Sequence, residues 1–210
     1  MHYSPDHHDH GLPYDPLKSL VVPRPIGWIS TVDERGGVNL APYSFFNLIA
    51  DRPAYVMFAS DGRKDSLRNV EVTGEFVCNL VTEELYEQMM ATAAPFPHGQ
   101  SEPERLGIDM RPSIRVNPPT VAAARASLEC VHYRTVNLPG ANDDQLSPYQ
   151  VVIGRVVSVS VDDAALDPKG YVRPDLLRPV ARLGYQHYAI IENTFAHPLP
   201  KAPDHPEATS

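Results

Sequence analysis

The chain has 210 residues, with 42% hydrophobic and 21% charged residues, which suits a soluble globular protein with a sizeable core. Acidic residues outnumber basic ones 26 to 18, for a net charge of −8, which argues against a nucleic-acid partner that needs many phosphate contacts. No apolar run reaches the roughly 18 residues of a membrane span, so no membrane role is expected.

Residues 1–13 read as a flexible arm. Met1 to Gly11 is polar and His-rich, and lacks the apolar core of a secretion signal. The run His7-His8-Asp9-His10 could catch a metal ion, but a mobile arm supplies no supporting shell, so no metal is expected. Ile26 to Val32 is β-rich. The turn Asp33 to Gly37 follows, then Val38 to Pro42 returns, which predicts a hairpin. Tyr55 to Ala59 and Glu75 to Leu80 are short apolar strands. Asp65 or Ser66 can start a helix that ends near Thr73-Gly74, with the glycine as C-terminal cap. Thr82 can cap a second helix from Glu83 to about Ala93.

Pro95 to Pro119 holds six prolines and two glycines, and reads either as a binding wall or as a plain surface excursion. Leu128 to Val136 and Tyr149 to Val161 read as a long antiparallel pair joined by a polar loop, Asn137 to Pro148. Alternation places Arg155, Val157, Val159 and Val161 on one face. From Pro198 to Ser210 the chain carries four prolines and no apolar periodicity, which predicts a loose tail. Many short strands with few helices imply a mainly β fold, an antiparallel barrel or sandwich with helices at its side, as one domain over residues 14–197. Cys78 and Cys130 lie apart in apolar runs, outside any C-x-x-C pair. They read as buried, reduced thiols of a cytoplasmic protein.

The common catalytic motifs are missing: there is no G-x-S-x-G, H-E-x-x-H, phosphate-binding P-loop or G-x-G-x-x-G. Glu83 and Glu84 are neighbours on one helix and read as surface charges. Two stretches can bind a ligand. Arg63-Lys64-Asp65-Ser66 opens a predicted helix, where free amides and positive charge favour a phosphate, although a plain charged helix start looks the same. The stretch Asn39 to Asn47 offers two adjacent rings, Phe45 and Phe46, flanked by Ser44 and Asn47, which suits a planar hydrogen-bonding ligand, although a core hairpin has the same pattern.

Together, five segments resemble the flavin reductase-like family of FMN-binding split barrels, including the nitrilotriacetate monooxygenase component B-like flavin reductases. They are Pro23 to Thr31, Asn39 to Asn47, Lys64-Asp65-Ser66, Thr73 to Asn79, and Arg182-Leu183-Gly184 with Tyr188. Their order and spacing match from about residue 17 to residue 197. The resemblance implies a split β-barrel with a few peripheral helices, working as a homodimer with FMN at the interface. It implies a phosphate seat at Lys64, Asp65 (through its backbone) and Ser66, with Arg63 beside it and help from Ser30 or Thr31. It rests the flavin ring against Trp28 and Tyr43, Ser44, Phe45, Phe46 and Asn47, and closes the site with Arg182 and Tyr188. It implies hydride transfer from NADH or NADPH to flavin, which is used in place or passed to a partner monooxygenase. Two alternatives stay open: a tightly held FMN acting directly on a small molecule, and a flavin-binding protein without turnover. A pyridoxamine-phosphate-oxidase-like barrel is a more distant one. The chain departs from the family pattern at Tyr185, where a second glycine is common, and this bears on the second substrate.

Overall fold

A computed structural model describes residues 1–142 and 145–198. The tail expected from Pro198 onward lies outside the described residues, apart from Pro198 itself. The elements, in chain order, are α1 (Leu17–Leu20), β1 (Arg24–Pro25), β2 (Gly27–Val32), β3 (Val38–Tyr43), β4 (Phe46–Asp51), β5 (Ala54–Asp61) and α2 (Asp65–Thr73). Then follow β6 (Glu75–Leu80), α3 (Tyr86–Ala91), α4 (Glu102–Leu106), β7 (Met110–Arg111), β8 (Thr120–Val121), β9 (Ala126–Pro139), β10 (Leu146–Val161), α5 (Pro174–Leu177), β11 (Val180–Arg182) and β12 (Tyr188–Ile190).

Seven antiparallel strands form the main sheet in the order β3-β2-β6-β9-β10-β5-β4. The sheet curls back on itself: the Tyr43 ring of the end strand β3 packs on Phe58 of β5, next to the other end, at 4.7 Å between centroids. A small sheet, β1-β11-β12, covers one end. This is the split β-barrel with peripheral helices that the sequence led us to expect.

Strand β2 explains how two cores form. Its side chains alternate between the faces, and both faces are covered. Ile29 points into the barrel with Val56, Phe58, Phe76 and Val152, closed by Leu67 and Val70 of α2. Trp28 points the other way, with Leu40, Met89, Val121 and Val180. Each core removes large apolar side chains from water, at about 1.5–3 kcal/mol for each one fully buried. Cys78 and Cys130 are free and buried in the barrel core, and burial pushes the Cys78 thiol up.

The hairpin forms in register, Val32 opposite Val38, and the Asp33 carboxylate accepts the amides of Arg35 and Gly37. Helix α2 ends at Gly74, whose φ of 76° is the left-handed geometry glycine takes without strain. Elsewhere local expectation gives way. The helix expected from Glu83 begins as a 3-10 turn, Glu83–Leu85, before α3. Thr82 makes no side-chain cap, because the backbone there is already engaged: Thr82 bridges Pro179 and the Glu83 amide donates to the Arg178 carbonyl. The loop expected between the long strands is shorter, since the ladder continues until Leu146 faces Pro139. Arg155, Val159 and Val161 are exposed, whereas Val157 falls in a bulge between Val156 and Ser158. The stretch Phe46–Asp51, of which the sequence singles out only Phe46 and Asn47, as ligand wall or core hairpin, is an edge strand paired with β5.

Candidate functional site

A cavity of about 830 Å³ opens where the end of β3, the start of α2, the 89–102 region and the loop after β11 converge. Its volume lies in the upper part of the roughly 300–1,000 Å³ range of ligand pockets. Among the residues singled out from sequence, Tyr43, Ser44, Phe45, Lys64, Asp65, Ser66, Arg182 and Tyr188 line it.

One end has groups that could hold an anion. Lys64 caps α2 in extended conformation, and its ammonium has no carboxylate partner among the described residues. The amides of Asp65, Ser66 and Leu67 form the first turn of the helix and find no acceptor among the described residues. Asn39 Nδ2 donates to Ser66 Oγ at 2.8 Å, which fixes that hydroxyl. The Tyr43 hydroxyl is buried beside Ser60 and Ser66 without a partner in hydrogen-bond geometry among the described residues, and burial raises its pKa. A buried donor left without a partner is costly, so a ligand oxygen here would satisfy a group the protein leaves open. The Asp65 carboxylate faces away from this task. It accepts from the Gly99 amide at 3.0 Å and pairs with His98 and Arg68.

The middle of the cavity is aromatic. Phe45 packs against Tyr149 at 5.7 Å, with Lys18 and Arg24 each 5.9 Å from its centroid. The amides of Ser44 and Phe45 lie between strands and find no acceptor among the described residues, so they remain available to a polar ring edge. At the far end Arg182 lies over the Tyr188 ring, 4.4 Å from its centroid, and donates to the Tyr188 hydroxyl and the Tyr185 carbonyl.

Six singled-out residues lie elsewhere. Trp28 is fully buried, and its Nε1–H donates to Thr92 Oγ1 at 2.9 Å. It supports the cavity through Thr92, which lines it. Ser30 and Thr31 are buried as well, because β2 is covered on both faces. Ser30 donates to the Pro119 carbonyl at 2.6 Å. Thr31 accepts from Asn39 and Asn69, and so reaches Ser66 at one remove. Phe46 packs against the barrel core. Asn47 is exposed and accepts from the Leu48 amide. Arg63 pairs with Glu71 at 2.7 Å on the surface of α2.

The structure also adds residues that sequence reasoning passed over. Arg24 is buried and spends its guanidinium on three carbonyls, those of Lys18, Val21 and Leu183. Desolvation, then the nearby Arg182 charge, lowers its pKa. Glu102 is buried at the cavity wall and accepts the Leu40 amide at 2.9 Å, and burial raises its pKa. Glu102 lies in the proline-rich 95–119 stretch, whose residues Pro95, Phe96 and His98 also line the cavity. No local signal marks Glu102, whose partner Leu40 is 62 residues away, or the reach of Arg24 to Leu183, 159 residues away.

Comparison with known proteins places this geometry. Residues 19–185 match the flavin reductase like domain. An uncharacterised protein of Aquifex aeolicus is 37% identical over 180 residues, covering 83% of this chain and 88% of its own. The solved structure of nitrilotriacetate monooxygenase component B from Bacillus cereus superposes with a TM-score of 0.85 at 30% identity, covering 94% of this chain and 98% of that one. That of 2-nitrobenzoate 2-nitroreductase from Pseudomonas fluorescens gives 0.83 at 28% identity, covering 99% and 100%. The split barrel, the cavity between β3 and α2 and the match across 19–185 agree: the chain belongs to the flavin reductase like family.

Proposed function

We propose that the protein is an FMN-binding NAD(P)H:flavin oxidoreductase that transfers hydride from NADH or NADPH to flavin and serves a partner monooxygenase. The observation that carries the reading is the open anion seat: Lys64, the free amides of α2 and the unpartnered Tyr43 hydroxyl, all on the wall of an aromatic cavity. These residues fit a flavin phosphate, and the Ser44 and Phe45 amides fit a polar ring edge. Bound there, FMN supplies the two-electron chemistry that side chains lack. The chain's own residues bind, orient and shield. Arg182 and Tyr188 close the far end, and the 95–102 segment covers the phosphate end.

The proposed assembly is a homodimer with FMN at its interface. Supporting it, Leu48 and Ile49 of β4 are about half exposed (54% and 50%) and Tyr133 of β9 is 65% exposed, packed on Tyr55. Apolar groups of this kind on one sheet suit a protein contact. Among the described residues no helix is long and apolar enough to cross a membrane. With both cysteines as free thiols, the cytoplasm is the compartment we propose. The similarity to nitrilotriacetate monooxygenase component B supports the partner monooxygenase.

A second reading keeps FMN as a prosthetic group that acts directly on a small organic molecule. The similarity to a nitroreductase favours it. Anaerobic titration of FMN-loaded protein with NADH, then NADPH, tests the first reading. Bleaching of the flavin band supports it. Bound FMN that neither donor bleaches overturns it. Turnover of excess free FMN separates the reductase from the prosthetic reading.

A further inference from the structure

We propose that Tyr185 and Lys18 form the subsite of the second substrate, and that it takes a planar ring carrying an anionic group. The inference rests on the flavin reading above and assigns the part of the cavity beyond the phosphate seat.

Two chain segments are locked together there. A side chain on Gly184 would collide with Ser19, so α1 lies directly against the backbone of the loop after β11. Arg24 ties the two, donating to the carbonyls of Lys18 (2.5 Å) and Val21 (2.7 Å) on one side and Leu183 (2.7 Å) on the other. This brings α1 and the loop to the cavity as one wall. From α1 comes Lys18, 5.9 Å from the Phe45 centroid, and among the described residues it has no carboxylate partner. From the loop comes Tyr185.

Tyr185 has a φ of 51°, in the left-handed region that glycine takes freely and a tyrosine takes at a cost. Its surroundings enforce the conformation: Arg182 donates to its carbonyl, and the Tyr14 ring meets it edge-on at 5.9 Å. Strain of this kind persists where the structure over-determines it, and it concentrates at ligand clamps. Glycine would fit the backbone, so what the tyrosine adds is its ring, 46% exposed and lining the cavity. A ring face suits a planar ligand. The wall is also cationic. Lys18, Arg24 and Arg182 line the cavity with Asp15, whose carboxylate already accepts the Leu17 amide at 2.9 Å and the Tyr3 hydroxyl at 3.3 Å; the other acids of the lining are Asp61, Asp65 and Glu102. The terminal nitrogens of Arg24 and Arg182 already donate to protein oxygens, whereas the Lys18 ammonium has no carboxylate partner among the described residues. Two sources share this chemistry: a nicotinamide dinucleotide and an aromatic carboxylate.

The test uses the full chain loaded with FMN, with Tyr185→Gly, Tyr185→Phe and Lys18→Met. FMN affinity is measured first, and all three variants are expected to match wild type. Tyr185→Gly is expected to melt no lower than wild type, because glycine relieves the strained φ, so unfolding cannot explain its effects. Benzoate, benzamide, NADH and NADPH are then titrated, following the perturbation of the flavin spectrum, and KM and kcat are measured for both dinucleotides. Tyr185→Gly is expected to weaken ring binding about tenfold, with Tyr185→Phe close to wild type. Lys18→Met is expected to weaken the anionic probes and leave benzamide unchanged. A rise in KM for NADH or NADPH at constant kcat identifies the dinucleotide as occupant; an effect confined to benzoate identifies an aromatic acid. Unchanged binding of every probe in Tyr185→Gly overturns the subsite, as does loss of FMN from either Tyr185→Gly or Lys18→Met. Equal weakening of benzoate and benzamide by Lys18→Met overturns the anion assignment. Wild-type protein that takes up no FMN overturns the flavin reading itself, a different failure seen at the first step.

Discussion

Asp65 Oδ1 is hydrogen-bonded to His98 Nδ1, although 33 residues separate them. The second carboxylate oxygen takes the Gly99 amide at 3.0 Å, so the first turn of α2 holds the proline-rich segment that lines the same cavity. His98 is 71% exposed, so the pair is worth little by itself. Asp65→Asn is expected to speed hydrogen exchange at the Gly99 amide and to change FMN affinity far less than loss of Lys64. An FMN loss as large as that of Lys64→Ala would mean that the carboxylate, not the backbone, serves the ligand.

On the proposed reading, Lys64→Ala is expected to remove a charge-assisted contact to the phosphate, worth about 1.5–3 kcal/mol, or roughly 10- to 100-fold in FMN affinity. Fluorescence titration of FMN checks this, and an unchanged affinity removes the phosphate assignment. Arg63→Ala serves as the control. Its partner Glu71 lies outside the cavity wall, so a small effect is expected.

Tyr43→Phe separates ligand from fold. The hydroxyl is buried and unpartnered, so without FMN its removal is expected to leave stability unchanged or raise it by about 1 kcal/mol. With FMN the same substitution is expected to weaken binding. Thermal melts with and without FMN read both signs. A destabilised apo variant would mean that the hydroxyl has a protein partner in solution.

Glu102 predicts a pH dependence. Burial raises its pKa above the ordinary 4.5, so the folded state holds its proton to higher pH than the unfolded chain does. Its contribution to stability is therefore full below the unfolded pKa and is lost as pH rises through the folded one. Glu102→Gln keeps an oxygen for the Leu40 amide and removes the titration. The stability of the variant relative to wild type is expected to rise with pH across this window. A difference independent of pH would show that Glu102 does not titrate differently on folding.

Arg24→Ala is expected to destabilise the protein by at least about 1–3 kcal/mol, the cost of leaving a buried carbonyl without its donor. It should also open residues 17–22 to limited proteolysis, because the guanidinium joins α1 to Leu183. Deleting residues 1–10, by contrast, is expected to leave flavin content intact, since none of them lines the cavity. Retained protease resistance in Arg24→Ala, or flavin loss on the deletion, would reverse the two assignments.

Much of the fold is legible along the chain because its causes are local. The alternation of β2 and β3, the Asp33 turn and the glycine after Thr73 act over a few residues, and their geometry follows from side-chain chemistry. The same holds for the Lys64-Asp65-Ser66 start of α2 and for the aromatic run from Tyr43, whose residue types already suit a phosphate and a ring. The Tyr185 departure is visible in the sequence too, but not the positive φ that gives it meaning.

Which face of each strand meets the cavity is a different kind of question. A period of two says that Trp28 and Ile29 point opposite ways, but not which neighbours cover each side. Because β2 is packed on both faces, Trp28, Ser30 and Thr31 lie behind the cavity; Trp28 reaches it through Thr92 and Thr31 through Asn39, while Ser30 is held by the Pro119 carbonyl. Arg24 and Glu102 owe their roles to Leu183 and Leu40, 159 and 62 residues away in the chain. Alternation, caps and turns are short-range effects that one stretch of sequence can specify. Burial and the partners of a long polar side chain depend on elements brought together only when the whole barrel packs.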